Sequence, residues 1–291
     1  MKHINEDDEI RVLGGNKWKG EEVSVRSPRK RKLWPIVTIL ILLFVVAGIF
    51  AYKIIDHRYY GFDYPLSRQQ QEVINSLQNE HKSDSVGIGY STDTYLGVDL
   101  KFYKISGLKA EMRDSFPSLD DKEVYLVTRS SDYRIDGNKN KIIGDYVIGG
   151  NLIAKSNWRA GYFAIMNGNV EIGIGRRPDM RTFLLENKGS MFRQFALVSA
   201  GVKSVSQYVL KGKVERCAYV RMPNNELYFI ETVNPETLYG FSDALIEFGA
   251  VDAIYITGGS QKELFYRDTC GERHGDYIDD KAHQMVVWTK K

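Results

Sequence analysis

The sequence predicts an α+β protein: a mixed, largely antiparallel sheet with a few packed helices, preceded by one transmembrane helix. Three observations carry this reading. One stretch near the N-terminus is apolar and uncharged for the length of a membrane crossing, the chain beyond Val86 breaks into short apolar alternations bounded by turn residues, and only three other segments have helical spacing. With 291 residues, 43% apolar and 26% charged, there is room for one sizeable core beside the membrane segment.

The elements follow in order. Residues 1–32 form a basic tail with nine Lys/Arg against six Asp/Glu, which leaves 31 of each sign for the rest of the chain. The folded part is therefore neutral on balance, and its aromatics alternate with aliphatics rather than with Lys/Arg, which excludes a nucleic-acid partner. Leu33–Tyr52 carries no charge and spans roughly 30 Å as a helix, so the membrane segment is placed at residues 33–55, with the lipid bilayer as its partner. Arg26, Arg29, Lys30, Arg31 and Lys32 precede it, whereas Lys53, Arg58 and Arg68 are scattered after it. The positive-inside bias then keeps the N-terminus in the cytoplasm and puts the C-terminal domain in the periplasm or outside the cell, anchored in the inner (cytoplasmic) membrane. A cleaved signal peptide fits less well, because the preceding tail is too long and no small-x-small site follows the apolar run.

Residues 56–81 read as a stalk ending in an amphipathic helix, with capping-box spacing at Ser67–Gln70 and apolar Val73, Ile74 and Leu77 on one stripe. Residues 82–291 are one domain. Strands are expected at 86–90, 95–105, 124–128, 162–166, 170–174, 195–199, 218–222, 227–231 and 253–256, separated by turn chemistry such as Asn167-Gly168 and Pro223-Asn224. Helices are expected near 179–187, stopped by Gly189, and at 238–248, capped by Thr237 and ended by Gly249.

Cys217 and Cys270 both fall in the outer domain, where an oxidising compartment favours a disulfide between them, and the competing reading of Cys217 is a small buried core residue. The absence of any Asn-x-Ser/Thr sequon favours a bacterial envelope.

Several segments have the residue types that chemistry needs. Ala253–Ser260 runs an apolar strand into Thr257-Gly258-Gly259-Ser260, a turn whose backbone N–H groups can converge on an anion or simply close a hairpin to Glu263–Tyr266. Tyr146–Asn151 repeats the pattern with Gly149 and Gly150, and Arg193 stands ahead of another strand with a guanidinium fork suited to phosphate. Gly173 and Gly175 do not make a dinucleotide fingerprint, because Pro178 holds the third glycine position. His274, Asp276, Asp279, Asp280 and His283 cluster without established ligand spacing, so no metal and no cofactor is expected.

The stretch Glu236–Ser260 resembles the signature of the phosphodiester glycosidase family, the uncovering-enzyme type that releases N-acetylglucosamine from a phosphodiester. There a helix ending in Leu-Gly leads into a strand and an Asp-Gly-Gly-x-Ser turn. Gly144–Asn151, Ala160–Ile172, Phe192–Gly201 and Arg216–Glu231 match further family segments in order, so the resemblance covers Val124 to Asp276. Two positions depart from it: Thr257 stands for the family's Asp and Ile148 for its Asn, as in the degenerate variant of Bacteroides-like envelope proteins. The resemblance implies a domain that hydrolyses or binds phosphorylated or phosphodiester-linked glycans, or a catalytically degenerate glycan-binding or structural relative. It implies substrate contacts from Gly149, Gly150, Asn151, Arg193, Thr257, Gly258, Gly259 and Ser260. Proton transfer would then pass to Asp145 and Asp243 as catalytic carboxylates.

Overall fold

In the computed structural model the apolar run lies in one helix, α1 (Trp34–Tyr60), which satisfies its own backbone hydrogen bonds and continues past the uncharged residues to Tyr60. Its segment Trp34–Ile54 is long and apolar enough to cross a bilayer, and none of it is buried within the protein; a secretory signal has the same character. The structure describes residues 34–60, 70–79, 85–118, 120–136, 139–156, 159–175, 179–256, 264–275 and 284–290.

The rest of the described chain is built on three sheets. The seven-stranded sheet has the order β1 (Gly87–Tyr95), β2 (Val98–Ser106), β15 (Leu227–Thr232), β14 (Cys217–Arg221), β16 (Asp252–Ile256), β12 (Ala196–Ser199) and β13 (Val202–Lys203). A five-stranded sheet runs β10 (Asn169–Ile174), β9 (Gly161–Met166), β11 (Ser190–Gln194), β7 (Tyr146–Ile148) and β8 (Asn151–Ala154). A second runs β18 (Arg273–His274), β17 (Leu264–Arg267), β4 (Val124–Arg129), β19 (Met285–Thr289) and β3 (Lys109–Arg113), beside a two-stranded ribbon of β5 (Tyr133–Asp136) and β6 (Lys139–Ile142). Every pairing between these named strands is antiparallel, and a parallel bridge joins Ile88 to Asp268. The α+β expectation with a largely antiparallel sheet holds.

Each sheet face is covered according to strand parity. The inner faces meet in an aromatic core of Tyr103, Phe163, Phe192, Tyr219, Phe229 and Trp288, whose polar tips are satisfied inside it: the Trp288 indole donates to the Tyr219 hydroxyl at 2.9 Å, and that hydroxyl lies 2.6 Å from Thr128 Oγ1. The opposite face of the seven-stranded sheet, with Phe102, Ala218, Ile230 and Ala253, packs against α4 (Leu238–Phe248). Leu238, Phe241 and Leu245 of α4 are fully buried there, each contributing about 1.5–3 kcal/mol by the usual burial scale. Thr237 caps its start, its Oγ1 accepting from Gly240 N at 2.9 Å, and Gly249 ends it at φ +102°, as the sequence requires.

The outer face of the β10–β9–β11–β7 sheet takes two helices, α2 (Gln70–Gln78) and α3 (Asp179–Glu186). Val73 and Leu77 of α2 are spaced one turn apart and buried, and the Asn169 amide donates to the Leu77 and Asn79 carbonyls, closing the end of the helix. The strand expected over 95–105 is two strands: Leu96 and Gly97, with φ of +51° and +77°, make the two-residue turn of the β1–β2 hairpin, and Leu96 carries no sequence signal for it.

Candidate functional site

Asp145, expected as a catalytic carboxylate, and Arg193, expected as a phosphate ligand, are held by each other. Antiparallel pairing of β7 with β11 sets Tyr146 opposite Phe192, which brings Asp145 alongside Arg193 just beyond β7. Both side chains are fully buried, with Arg193 Nε donating to Asp145 Oδ2 at 2.8 Å; Arg181 Nη1 of α3 reaches Oδ1 at 2.6 Å and Ser156 N donates to the same oxygen at 2.8 Å. Arg193 Nη1 donates to the Arg159 and Gly175 carbonyls. Burial pushes the Arg193 guanidinium down from its ordinary value and Asp145 pushes it back up. This guanidinium is spent on the scaffold, which corrects the phosphate-binding expectation.

The Gly149-Gly150 turn receives the same correction. Ile148 pairs with Asn151, and the two glycines between them, at φ +54° and +80°, close the β7–β8 hairpin. Gly149 N donates to Ser190 Oγ at 2.9 Å and Gly150 N to the Gly189 carbonyl at 2.7 Å, so the N–H groups expected to meet an anion are already used. Gly150 is needed for close approach, since a Cβ there would stand 3.0 Å from Lys188 Cα. The turn meets β11 at Ser190, three residues or roughly 10 Å from Arg193, so the two do not form one face. Asn151 is exposed at the start of β8, and Ile148 packs against the central core.

Asp243 lies on α4 and pairs with Lys203 of β13, while Asp145 is enclosed by Arg181 and Arg193; the two carboxylates do not make a catalytic pair. The expected disulfide is absent as well. Cys217 is a buried thiol of β14 and Cys270 an exposed one in the turn before β18, and no disulfide joins them. Cys217 takes the core reading because its strand is buried along its whole length. Thr257, Gly258, Gly259 and Ser260 lie outside the described residues, as do Asp276, Asp279, Asp280 and His283.

The last described residue before the Gly-Gly turn, Ile256, leads to a site that the motifs did not mark. Ile256 pairs with Cys217, which pairs in turn with Glu231 on β15, so the row at this end of the sheet reads Ile256, Cys217, Glu231. Glu231 is 1% exposed and points to the inner face with Phe229 and Tyr219. The Tyr103 hydroxyl donates to Glu231 Oε2 at 2.9 Å, and the Cys217 thiol lies 3.7 Å from Oε1. Tyr103 is flanked by Tyr90 and Tyr266, with ring centroids at 5.4 and 5.0 Å, and Tyr266 stacks on His274 at 4.6 Å. His274 Nε2 is 2.9 Å from Asp268 Oδ2. Tyr90 is 47% exposed, so a run of aromatic rings leads from solvent through Tyr266 to the Tyr103–Glu231 pair.

Electrostatics here follow burial. Burial first and Glu231 second raise the Tyr103 hydroxyl well above the ordinary tyrosine range, keeping it a donor to the carboxylate. Tyr266 is raised by burial, with Tyr90, Asp268 and Glu231 adding to it, and the His274 hydrogen bond holds Asp268 below the usual carboxylate range. Asp268, Glu272 and His274 bring one donor atom each within 4.8 Å of one another at the mouth of this region. The signal for Glu231 was present in the sequence: in Leu227–Thr232 it shares the parity of Phe229, so a carboxylate occupies a core-facing position of an alternating strand.

No family model and no curated protein matches the sequence. Among solved structures, the chain is similar to the zebrafish N-acetylglucosamine-1-phosphodiester alpha-N-acetylglucosaminidase catalytic domain auto-inhibited by its pro-peptide, at 11% identity and a TM-score of 0.52 over 74% of this chain and 86% of that one. It also aligns with a hypothetical protein from Synechocystis at 9% identity and a TM-score of 0.47, over 69% and 62% of the two chains. At these identities the likeness to the zebrafish domain is one of fold, a distant structural relationship.

Proposed function

We propose that this protein is a membrane-anchored domain that binds and hydrolyses sugar-phosphodiester glycans of a bacterial envelope, with residues 33–55 in the inner membrane, the basic tail in the cytoplasm and residues 82–291 outside. The observation that carries the reading is the row Ile256–Cys217–Glu231: the strand that runs into Thr257-Gly258-Gly259-Ser260 has a buried carboxylate two strands away. On a fold shared with a phosphodiester glycosidase domain, that carboxylate compensates for Thr257 standing in place of the family's Asp. Glu231 serves as the proton donor to the leaving-group oxygen, with Tyr103 holding it in place, and the backbone N–H groups of Gly258 and Gly259 take the phosphate. Arg193 is left out of this account, because it is bound to Asp145.

A second reading, a glycan binder that has lost turnover, is favoured by one specific observation. Ile148, in the position of the family's Asn, packs into the core, and a hydrolytic site without that amide has one polar group fewer to position its substrate.

Release of free sugar from a methyl phosphodiester of N-acetylglucosamine 1-phosphate by the full chain in lipid nanodiscs decides between them. Hydrolysis by the wild type and its loss in Glu231→Gln, with binding retained, supports the enzyme. Binding without release in the wild type supports the degenerate binder, and neither binding nor release ends both readings. Protease added to spheroplasts tests the orientation: a tag before Arg26 should survive while the domain beyond Lys53 is digested.

A further inference from the structure

The hairpin of β17 and β18 breaks a rule of cross-strand pairing. Tyr266 stands opposite His274 and Arg267 opposite Arg273, and the next pair is Asp268 with Glu272, whose carbonyl accepts from Asp268 N at 2.9 Å. Side chains alternate along a strand and opposite residues share a face, so Tyr266, Asp268, Glu272 and His274 project to one side and the two arginines to the other. Carboxylates directly opposite each other are destabilising, and the neighbouring cations are turned away from them. Arg273 reaches Asp120 at 3.6 Å, and Arg267 donates to the Gly271 carbonyl at 3.0 Å. An imidazolium at His274 would offset one of the two negative charges. A local rule broken in this way marks a place where function supplies the compensation.

The three polar side chains on that face also converge. One donor atom from each of Asp268, Glu272 and His274 lies within 4.8 Å of the others. A coordination shell with bonds of about 2.0–2.2 Å needs donors no more than about 4.4 Å apart. The difference is small, and Glu272 is exposed, so its side chain can take it up. The other two donors are fixed beforehand. Asp268 Oδ1 accepts from the Cys270 and Glu272 N–H groups at 2.9 Å each, which aims Oδ2 at His274 Nε2, 2.9 Å away. The Asp268 backbone is bridged to Ile88 of β1, and the His274 ring stacks on Tyr266 with centroids 4.6 Å apart. Holding two donors in place before a ligand arrives removes part of the ordering cost of binding.

We infer that Asp268, Glu272 and His274 bind a first-row divalent transition ion, of the Zn²⁺ or Mn²⁺ type. The imidazole nitrogen selects such an ion over Ca²⁺ and Mg²⁺, which take shells of oxygen. Binding replaces the Asp268–His274 hydrogen bond: the imidazole coordinates through Nε2 as its neutral Nδ1–H tautomer, and a protonated ring gives up its proton to solvent. Three protein donors leave a coordination position for water or an anionic oxygen, which is the arrangement of catalytic rather than structural metals. The site does not rest on turnover at Glu231, although Tyr266 touches both Tyr103 and His274.

Calorimetry on the metal-free full chain in nanodiscs of zwitterionic lipid tests it with ZnCl₂ and MnCl₂ against CaCl₂ and MgCl₂. Zn²⁺ or Mn²⁺ should bind more tightly than Ca²⁺ or Mg²⁺. Three substitutions should each weaken that binding about tenfold or more, since losing even an outer partner of a metal site costs that much. Glu272→Gln changes an exposed side chain, Asp268→Asn keeps Oδ1 as the acceptor of the turn, and His274→Phe keeps a ring on Tyr266, so a loss in these variants is a loss of donors and not of the fold. An unchanged denaturation midpoint for Glu272→Gln checks this. Glu231→Gln and Cys270→Ser should bind the ion like the wild type. Ca²⁺ bound as tightly as Zn²⁺ would reduce the site to an acidic surface patch and overturn the assignment. So would binding that survives all three substitutions, binding lost in Cys270→Ser or Glu231→Gln, or no binding of any ion.

Discussion

Asp145 and Glu231 are both buried carboxylates facing the interior from strand ends, yet they are held by different chemistry. Asp145 is gripped by the guanidinium groups of Arg181 and Arg193 and by a backbone N–H. Glu231 takes the hydroxyl of Tyr103 and faces the thiol of Cys217. A guanidinium offers donors only and cannot turn acceptor, so Asp145 serves as an anchor between β7, β11 and α3. A phenol hydroxyl can both donate and accept, so Tyr103 holds Glu231 without the fixed counter-charge that the arginines give Asp145. Burial alone therefore does not distinguish scaffold from chemistry; the kind of partner does.

The largest expected effect is on the anchor. Asp145→Ala leaves Arg181 and Arg193 buried without their shared counter-charge and should destabilise the domain by about 3–5 kcal/mol, as for other broken buried ion pairs. Chemical denaturation of the wild type and variant measures it. A loss under about 1 kcal/mol, the scale of an exposed pair, would mean that the cluster is not an anchor and would break the comparison at its first half.

Glu231→Gln probes the other half and should show the reverse pattern. The amide oxygen still accepts from Tyr103, so stability should change by no more than about 1.5 kcal/mol. Sugar release, the activity proposed above, should fall by about two to four powers of ten, the usual worth of a positioned proton donor. Unfolding of Glu231→Gln comparable to that of Asp145→Ala would make Glu231 an anchor as well and remove the distinction.

Why the sequence revealed one half of this picture and hid the other follows from particular residues. The α4 segment was legible to the residue, because Thr237, the apolar stripe and Gly249 each act locally. Part of the strand series was legible from alternation, but β3, β5, β6, β11 and β19 were not among the expected strands, and the Gly149-Gly150 pair was legible from its turn chemistry, although its N–H groups proved to be used by Ser190 and Gly189. Arg193 looked like a ligand because a lone arginine has no visible partner in sequence; Asp145 lies 48 residues earlier and Arg181 comes from a different element, so only the β7–β11 register reveals them. Cys217 and Cys270 suggested a bridge by count alone, which carries no information on distance. Glu231 was legible by parity, but its significance depends on Tyr103, which is 128 residues away.

A smaller effect separates the two regions by pH. Tyr103 beside Glu231, together with Tyr146 and Tyr219 in the core, is raised well above the ordinary tyrosine value, chiefly by burial, and Tyr255 is pushed up to about 12. A group whose folded value exceeds its unfolded one stabilises the protein fully below the unfolded value, about 10 for tyrosine, and that contribution is lost as pH rises toward the folded value. Stability should therefore be flat up to about pH 9.5 and fall above it, with tyrosinate absorbance appearing together with unfolding. Glu231→Gln removes the second cause of the Tyr103 shift and should make the alkaline fall shallower. An alkaline profile identical in Glu231→Gln and wild type would contradict the coupling of Tyr103 to Glu231.

The smallest effect belongs to the cysteines, and it sharpens the comparison because it asks how exacting the Glu231 environment is. Cys217→Ser places a hydroxyl where the thiol faces Glu231 Oε1, replacing a weak donor with a better one in slightly less volume. The gain in hydrogen bonding and the loss of a sulfur atom from a closely packed strand oppose each other, so the net change should stay within about 1 kcal/mol. Cys270→Ser lies in an exposed turn where Asp268 Oδ1, rather than the thiol, accepts from the Cys270 and Glu272 N–H groups, and it should be neutral. The double Ser variant should accordingly unfold at nearly the wild-type denaturant midpoint, and unreduced protein should show two alkylatable thiols once unfolded. A loss near 3–4 kcal/mol would instead be the signature of a loop-closing disulfide. It would also mean that Cys217 faces Cys270 and not Glu231, leaving Tyr103 as the donor that orients the carboxylate.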